Sequence, residues 1–317
     1  QIPDNLHFTF TTRIGQLLYE GMDIRNFAGK IVLDQDKLDL SSLNMQTLGG
    51  DVGLSGFYHT PKRAVPNIAF NYDLRNIDIE LLTKYFESVE KMAPVIRHAR
   101  GNVSTRLHLV SDVLPDFSPV LNTVTGHGTL TSNAVRVENL KFLERLNNFI
   151  DLSNLENATF RNLNIYFEFI DGKLEVKPFD VNIGNIRSRV SGTTSFEQEI
   201  DYIIDMQLPR SVIPREVVQL AEQGIAQAKR IPGFEIKSIP DPLDVRLKVV
   251  NTVTNPQISS NLRERLMEEV GNVRESVKEA IEEKVREVVD SAKAVVKEKV
   301  EDIKDDLRER RDKLLAD

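Results

Sequence analysis

The stretch FEFIDGKLEVKPFDVNIG, residues 167–184, alternates apolar and polar side chains on both sides of Asp171-Gly172. An alternation with a period of two is typical of β-strands that have one dry face and one wet face. Asp-Gly between two such runs is a strong signal for a tight hairpin turn. The stretch therefore predicts two antiparallel strands, and it raises the question of what their dry face contacts.

The same alternation fills most of the chain. It predicts further strands within 1–75, 101–113, 123–137, 158–208 and 244–253. In three shorter stretches the apolar residues recur instead at intervals of three and four, which is typical of amphipathic helices. These predicted helices lie near 78–99, 138–150 and 214–231. The pattern therefore predicts a mainly β protein with short helices.

The last part of the chain has a different residue pattern. Residues 260–317 predict one long amphipathic helix with many charged side chains, separate from a β-rich domain that covers 1–259. The apolar stripe of this helix could cover a groove or a strand edge, or the helix could project toward a partner or a membrane surface. Its charges are of both signs, which disfavours binding to an anionic lipid surface.

Composition narrows the function classes. The net charge is −7 and the isoelectric point is about 5.5, so we expect no nucleic-acid partner. The absence of cysteine excludes disulfides and thiolate metal sites. No apolar run approaches the ~20 residues of a membrane-spanning helix. Because the sequence begins at Gln1 rather than Met, we interpret it as a processed or excised piece, so the lack of an N-terminal anchor in it carries no weight.

Two segments share a plan. Residues 29–56 and 171–192 each contain two alternating runs, then a third run that ends in Ser-Gly, at Ser55-Gly56 and Ser191-Gly192. We interpret the β-rich domain as two loose repeats, 1–135 and 136–259. Two units alone are too few to predict a repeat architecture.

The order of these motifs resembles the AsmA-like proteins of Gram-negative cell envelopes, over roughly residues 1–260. GKIVLDQDKLDLSSLNMQTLGGDVGLSGFY looks like the repeated unit of that family. Asp171-Gly172-Lys173-Leu174, then Gly192, then the strand 199–208 ending in Leu208-Pro209, is similar to the C-terminal region of the family. Asn251-Thr252 departs from it, since a Gly-Thr pair often stands there.

The resemblance implies a fold and a role. The fold is an elongated antiparallel β-groove, an open rolled sheet with an apolar lining, short helices and a long C-terminal helix. The role is lipid handling in the periplasm by a protein anchored in the inner membrane, with phospholipid or another envelope lipid as the partner. The family implies no catalytic residue and no cofactor.

The candidate functional residues are the apolar side chains that would line this groove. The alternative is that they pack as the ordinary core of a β-sandwich, or beneath the predicted helices. The candidates are Ile68, Phe70, Tyr72, Leu107, Leu109, Ile165, Phe167, Phe169, Val181, Ile183, Ile204 and Met206.

Signals for chemistry are weak. None of the five histidines (His7, His59, His98, His108 and His127) stands in a zinc-binding spacing. Asp201 and Asp205 share the wet face of one strand, where a solvated surface explains them better than a catalytic pair. We therefore expect no enzyme activity and no metal, with a hydrolase that uses these carboxylates as the remote alternative.

Two non-enzymatic functions stay open. The first is that the apolar groove holds or conducts acyl chains between the inner and outer membranes. The second is a structural or assembly role, in which strand edges and the C-terminal helix bind outer-membrane assembly proteins. Crosslinking from the strand edges would distinguish the two, because lipid adducts favour the first function and protein adducts favour the second.

Overall fold

The computed structural model describes residues 7–61, 65–149, 157–213 and 241–262, together with isolated positions between 219 and 301. The chain divides into two units. The first comprises 1–214 and 241–262, and it contains the whole sheet. The second comprises 215–240 and 263–317. The helices predicted at 214–231 and 260–317 lie outside the continuously described residues.

Thirteen strands form one open antiparallel sheet, in which every strand pairs with its neighbours along the chain. This confirms the prediction of a mainly β, open antiparallel sheet with short helices. The strands are β1 (His7–Tyr19), β2 (Met22–Asp34), β3 (Lys37–Thr47), β4 (Gly50–His59), β5 (Asn67–Asp78), β6 (Ala99–Asp112), β7 (Thr125–Glu138), β8 (Asn157–Ile170), β9 (Lys173–Ile183), β10 (Ile186–Ser195), β11 (Glu199–Leu208), β12 (Leu243–Thr252) and β13 (Asn255–Ser260).

The hairpin predicted from the opening stretch is present as β8 and β9. Asp171 and Gly172 both have positive φ angles, as a type I′ turn requires. The alternation in β9 is interrupted once, because the pairing of β9 with β10 shifts between Val176↔Gly192 and Phe179↔Val190. This β-bulge keeps Val176 and Phe179 on the same face although they are three residues apart.

The same shift occurs earlier in the chain. In β3 and β4 the register changes between Leu40↔Gly56 and Leu43↔Leu54. The segments 37–56 and 173–192 are therefore paired in the same way, with the bulge at the same place.

The first predicted helix is divided into three pieces. The structure has α1 (Ile79–Tyr85), α2 (Glu87–Met92) and a 3₁₀-helix (Pro94–His98). The Asp78 side chain caps α1 by accepting a hydrogen bond from the backbone N–H of Leu81 at 2.9 Å. Phe86 and Ala93 have non-helical backbone angles, so each of them ends a helix.

The second predicted helix is shorter than expected. β7 extends to Glu138, and α3 covers Lys141–Phe149. Leu143 and Leu146 of α3 are buried, and α3 contacts β13. Arg145 of α3 also donates a hydrogen bond to Oδ1 of Asn255 at 2.6 Å. A helix inserted between β7 and β8 thus reaches the last strand of the sheet.

Candidate functional site

The strand register places all twelve candidate residues on one side of the sheet, because cross-strand partners share a face. Phe70 is paired with Leu109, Leu109 with Gly126, and Gly126 with Phe169. Phe169 is paired with Leu174, Leu174 with Thr194, and Thr194 with Ile200. Ile204 and Met206 share the face of Ile200, because they are an even number of residues away from it on β11. We call this side the apolar face and the other side the polar face.

Burial divides the candidates into two equal groups. Six of them are buried: Leu109, Phe169, Val181, Ile183, Ile204 and Met206. The other six are half-buried: Ile68, Phe70, Tyr72, Leu107, Ile165 and Phe167. Most of the buried group lies on β9 and β11, and most of the half-buried group on β5 and β8. Sequence alternation found the face but could not distinguish these groups.

The buried group belongs to a packed core. Leu109 and Phe169 form a cluster with Val124, and Met92 of α2 and Phe196 pack against it. On β12 the alternating residues Leu243, Val245, Leu247 and Val249 are also buried. The low exposure of these six residues is typical of an ordinary core, which is the alternative reading of the set. The half-buried candidates Ile68, Tyr72, Leu107 and Phe167 pack against the same cluster. The assignment of the twelve residues as lipid contacts stays a prediction.

The apolar face is more accessible on the first strands. Phe8 and Phe10 of β1 lie on it, paired with Leu33 and Ile31, and each is 49% exposed. Further half-buried apolar side chains on β2–β4 share the face: Phe27, Ile31, Leu38, Leu40, Val52 and Leu54. The candidate set omitted all of these, although alternation in HFTFTT and KIVLDQDKLDL marks five of them, Phe8, Phe10, Ile31, Leu38 and Leu40.

Tyr72 shows how apolar the middle of this face is. Burial raises the pKa of Tyr72 to about 12. Burial also raises the pKa of Tyr202 on β11, although a hydrogen bond with Thr194 at 2.9 Å opposes the shift. The surroundings of both phenols therefore disfavour the charged form.

We expect this shift to make the fold sensitive to alkali. The folded chain keeps the Tyr72 proton up to about pH 12, whereas an unfolded tyrosine loses it near pH 10. The stability from Tyr72 is therefore complete below pH ~10 and is lost as the pH rises toward 12. When the pH is raised from 8 to 11, the unfolding free energy of the wild type should fall by about 1.4 kcal/mol more than that of Tyr72→Phe. Urea titration at each pH measures this difference.

Tyr19→Phe is the matched control for this measurement, because Tyr19 is an exposed tyrosine at the end of β1. It should lose as much stability as the wild type does. If all three proteins lost the same unfolding free energy, the inference that burial raises the pKa of Tyr72 would be contradicted.

The polar face carries the cavities. A cavity of about 620 Å³ is lined by polar-face residues such as Arg106, His127 and Tyr166, and also by Tyr72 and Leu107 of the candidate set. A second of about 510 Å³ lies beside Ser41 and Phe57. The strand register places Arg106 and His127 of the first cavity, and Asp39 and Phe57 of the second, on the polar face. The expectation of an apolar-lined groove therefore rests on the accessible first strands rather than on an enclosed channel.

Two histidines meet in the larger cavity. His108 and His127 are cross-strand partners with ring centroids 5.7 Å apart. His108 Nδ1 lies 2.9 Å from Oδ1 of Asn71. Within the described part of the chain, no group of three potential ligands could hold a metal ion.

Asp201 and Asp205 form ion pairs on the polar face. Arg246 donates to both carboxylate oxygens of Asp205, at 2.6 and 2.9 Å, and this raises the pKa of Arg246. Lys248 lies 3.8 Å from Asp201. Both carboxylates thus face cations on the neighbouring strand in an exposed position, which is the arrangement of a solvated surface.

These observations define the sheet as an open antiparallel meander with one continuous apolar face. Many side chains of that face are buried on the later strands, and Phe8 and Phe10 on β1 are exposed. Among the described residues, no helix has the length and hydropathy needed to span a membrane. No family model, curated protein or solved structure matches the chain.

Proposed function

We propose that this chain is a non-enzymatic lipid-handling protein of the Gram-negative envelope that holds acyl chains against the apolar face of β1–β8. The supporting observation is the continuity of that face across the strands, with side chains that are exposed or half-buried on its first part. The resemblance to AsmA-like proteins motivates the periplasmic location, the anchor in the inner membrane and the choice of envelope lipid as the partner.

The proposed mechanism is passive. An acyl chain lying across Phe10, Ile31 and Leu40 removes apolar surface from water, and each buried methylene contributes about 0.8 kcal/mol. A contact of about eight methylenes would supply about 6 kcal/mol before the cost of ordering the chain. The polar face keeps its charged pairs in water throughout. No step requires a catalytic group or a cofactor.

A quenching experiment tests this proposal, because the chain contains no tryptophan. Phe10→Trp and Phe70→Trp each place a single fluorophore on the apolar face. Phosphatidylcholine with brominated acyl chains should quench both of them, since bromine acts only at short range. The same lipid without bromine should leave the fluorescence intensity unquenched.

Tyr166→Trp is the matched control, because Tyr166 is an exposed aromatic residue on the polar face of β8. Its fluorescence should stay unquenched. Quenching of all three variants alike, or of none, would refute acyl-chain binding on this face. Lipid mass spectrometry of protein purified from its native envelope gives a second readout.

A further inference from the structure

Four side chains around the larger cavity form one group of hydrogen-bond donors on two neighbouring strands. Arg106 and His108 are two residues apart on β6, so they share the polar face. His127 on β7 is the cross-strand partner of His108, and Thr129 is the partner of Arg106. All four residues line the cavity of about 620 Å³. We call these four residues the donor cluster.

The donor cluster has N–H and O–H groups that are not used elsewhere. In the described part of the chain, Arg106 makes no hydrogen bond and no ion pair, and the ring of His127 and the hydroxyl of Thr129 make no hydrogen bond. His108 is different, because its Nδ1 lies 2.9 Å from Oδ1 of Asn71. This contact holds the ring of His108 beside that of His127. A guanidinium, an imidazole and a hydroxyl can all donate to one acceptor group between them.

The acidic residue opposite Arg106 is already bound to another arginine. Asp73 is the cross-strand partner of Arg106, and Arg75 donates hydrogen bonds to both of its carboxylate oxygens. Among the causes that lower the pKa of Asp73, the hydrogen bond from Arg75 is the largest and the charge of Arg106 is the smallest. Because Arg75 binds both oxygens of Asp73, Arg106 keeps its N–H groups for another acceptor.

The acidic residue opposite His127 is also bound to a different cation. Glu168 is the cross-strand partner of His127, and Nζ of Lys177 lies 2.8 Å from one of its carboxylate oxygens. The hydrogen bond from Lys177 is the largest cause of the lowered pKa of Glu168. Tyr166, the partner of Thr129, donates its hydroxyl proton to the same carboxylate at 3.3 Å. The donor cluster is therefore not neutralised by the carboxylates beside it.

We propose that the donor cluster binds a phosphate group, with Arg106 as the charged anchor and His127 and Thr129 as further donors. Arginine suits this role because its planar guanidinium donates to two phosphate oxygens at once. The phosphate group belongs either to a free ion or to the head group of a lipid, and the cavity has the volume of a small-molecule site. This inference does not depend on acyl-chain binding to the apolar face, so either can fail alone.

NMR of the histidine rings during titration of the full chain with inorganic phosphate tests the site. At constant pH and ionic strength, the signals of His108 and His127 should shift until they saturate. His7, His59 and His98 do not line the cavity, so their signals should stay unchanged. Replacing each histidine by glutamine in turn assigns the five signals.

Arg106→Gln should weaken phosphate binding about tenfold or more, because it removes charged hydrogen bonds to the anion. Arg187→Gln is the matched control with the same change of charge. Arg187 is an exposed arginine on the polar face of β10, and it does not line the cavity. Its replacement should change the dissociation constant less than about twofold.

Two further ligands distinguish the sources of the phosphate group. Glycerol 3-phosphate carries the polar part of a phospholipid, and dihexanoyl phosphatidic acid, used below its micelle concentration, adds short acyl chains. Tighter binding of both than of inorganic phosphate assigns the cluster to a lipid head group. Tightest binding of inorganic phosphate assigns it to the free ion.

Three outcomes would overturn the inference. The first is that none of the three phosphates shifts the signals of His108 and His127 to saturation. The second is an equal loss of affinity in Arg106→Gln and Arg187→Gln, which would reduce the effect to net charge. The third is a fall of more than about 4 °C in the unfolding temperature of phosphate-free Arg106→Gln, since a carboxylate of the chain itself would then hold Arg106.

Discussion

Leu247→Ala is expected to lower the free energy of unfolding by about 2–5 kcal/mol, because the substitution leaves a cavity in a packed interior. Leu247 lies on the apolar face of β12, is fully buried, and is paired with Ile204. Urea unfolding followed by circular dichroism measures the change. An open groove at β12 would let solvent or lipid fill the space, and the cost would then be much smaller.

Leu18→Ala is the matched control for Leu247→Ala. Leu18 is 71% exposed on β1, so its truncation should change stability by less than about 0.5 kcal/mol. A loss below about 1 kcal/mol for Leu247→Ala would contradict the assignment of the later strands as core.

Gly56→Ala is expected to destabilise the fold by about 3 kcal/mol, because the added methyl group meets backbone atoms that cannot move aside. Gly56 has a φ of +141°, which an L side chain rarely adopts. Its Cβ would collide with the carbonyl oxygen of Ala69 and would lie 2.8 Å from Cα of Phe70. Thermal unfolding and urea titration both report this loss.

Gly15→Ala is the control for Gly56→Ala, since a Cβ at Gly15 meets no heavy atom within 4 Å. This variant should keep the stability of the wild type or gain slightly. Gly192, the counterpart of Gly56 in the second repeat, has its Cβ position close to Tyr202. Gly192→Ala should therefore reproduce the effect, and a neutral Gly56→Ala would contradict the close packing of an aromatic residue over each glycine.

Local pattern was sufficient to predict the strands and the shared face. Alternation around Asp171-Gly172 requires only neighbours in sequence, and the turn residues identify the hairpin directly. The bulge at Lys177-Pro178 is also visible in the sequence, because the apolar residues Val176 and Phe179 are three positions apart instead of two, but the strand prediction did not use it. The break at Phe86 has no local signal that we recognise, so α1 and α2 were predicted as one helix.

The sequence pattern could not predict which parts of the apolar face other elements of the chain cover. Val181 and Ile204 have the same alternation as Phe70, yet they are buried whereas Phe70 is half-buried. Met92 packs against a cluster that includes Phe169, and α3 reaches β13. Contacts of such long range leave no periodic trace in the segments involved. The exposed Phe8 and Phe10, by contrast, could have been found from their alternation.

The strictly sequential order of the thirteen strands has a consequence for how such a chain can change its size. Each strand is hydrogen-bonded mainly to strands that are close in sequence, so stability accumulates from neighbour to neighbour as it does in linear arrays. Whole hairpins could then be gained or lost by gene duplication and deletion without rearranging the pairing elsewhere. The span of the molecule would thus be adjustable in evolution by steps of one hairpin.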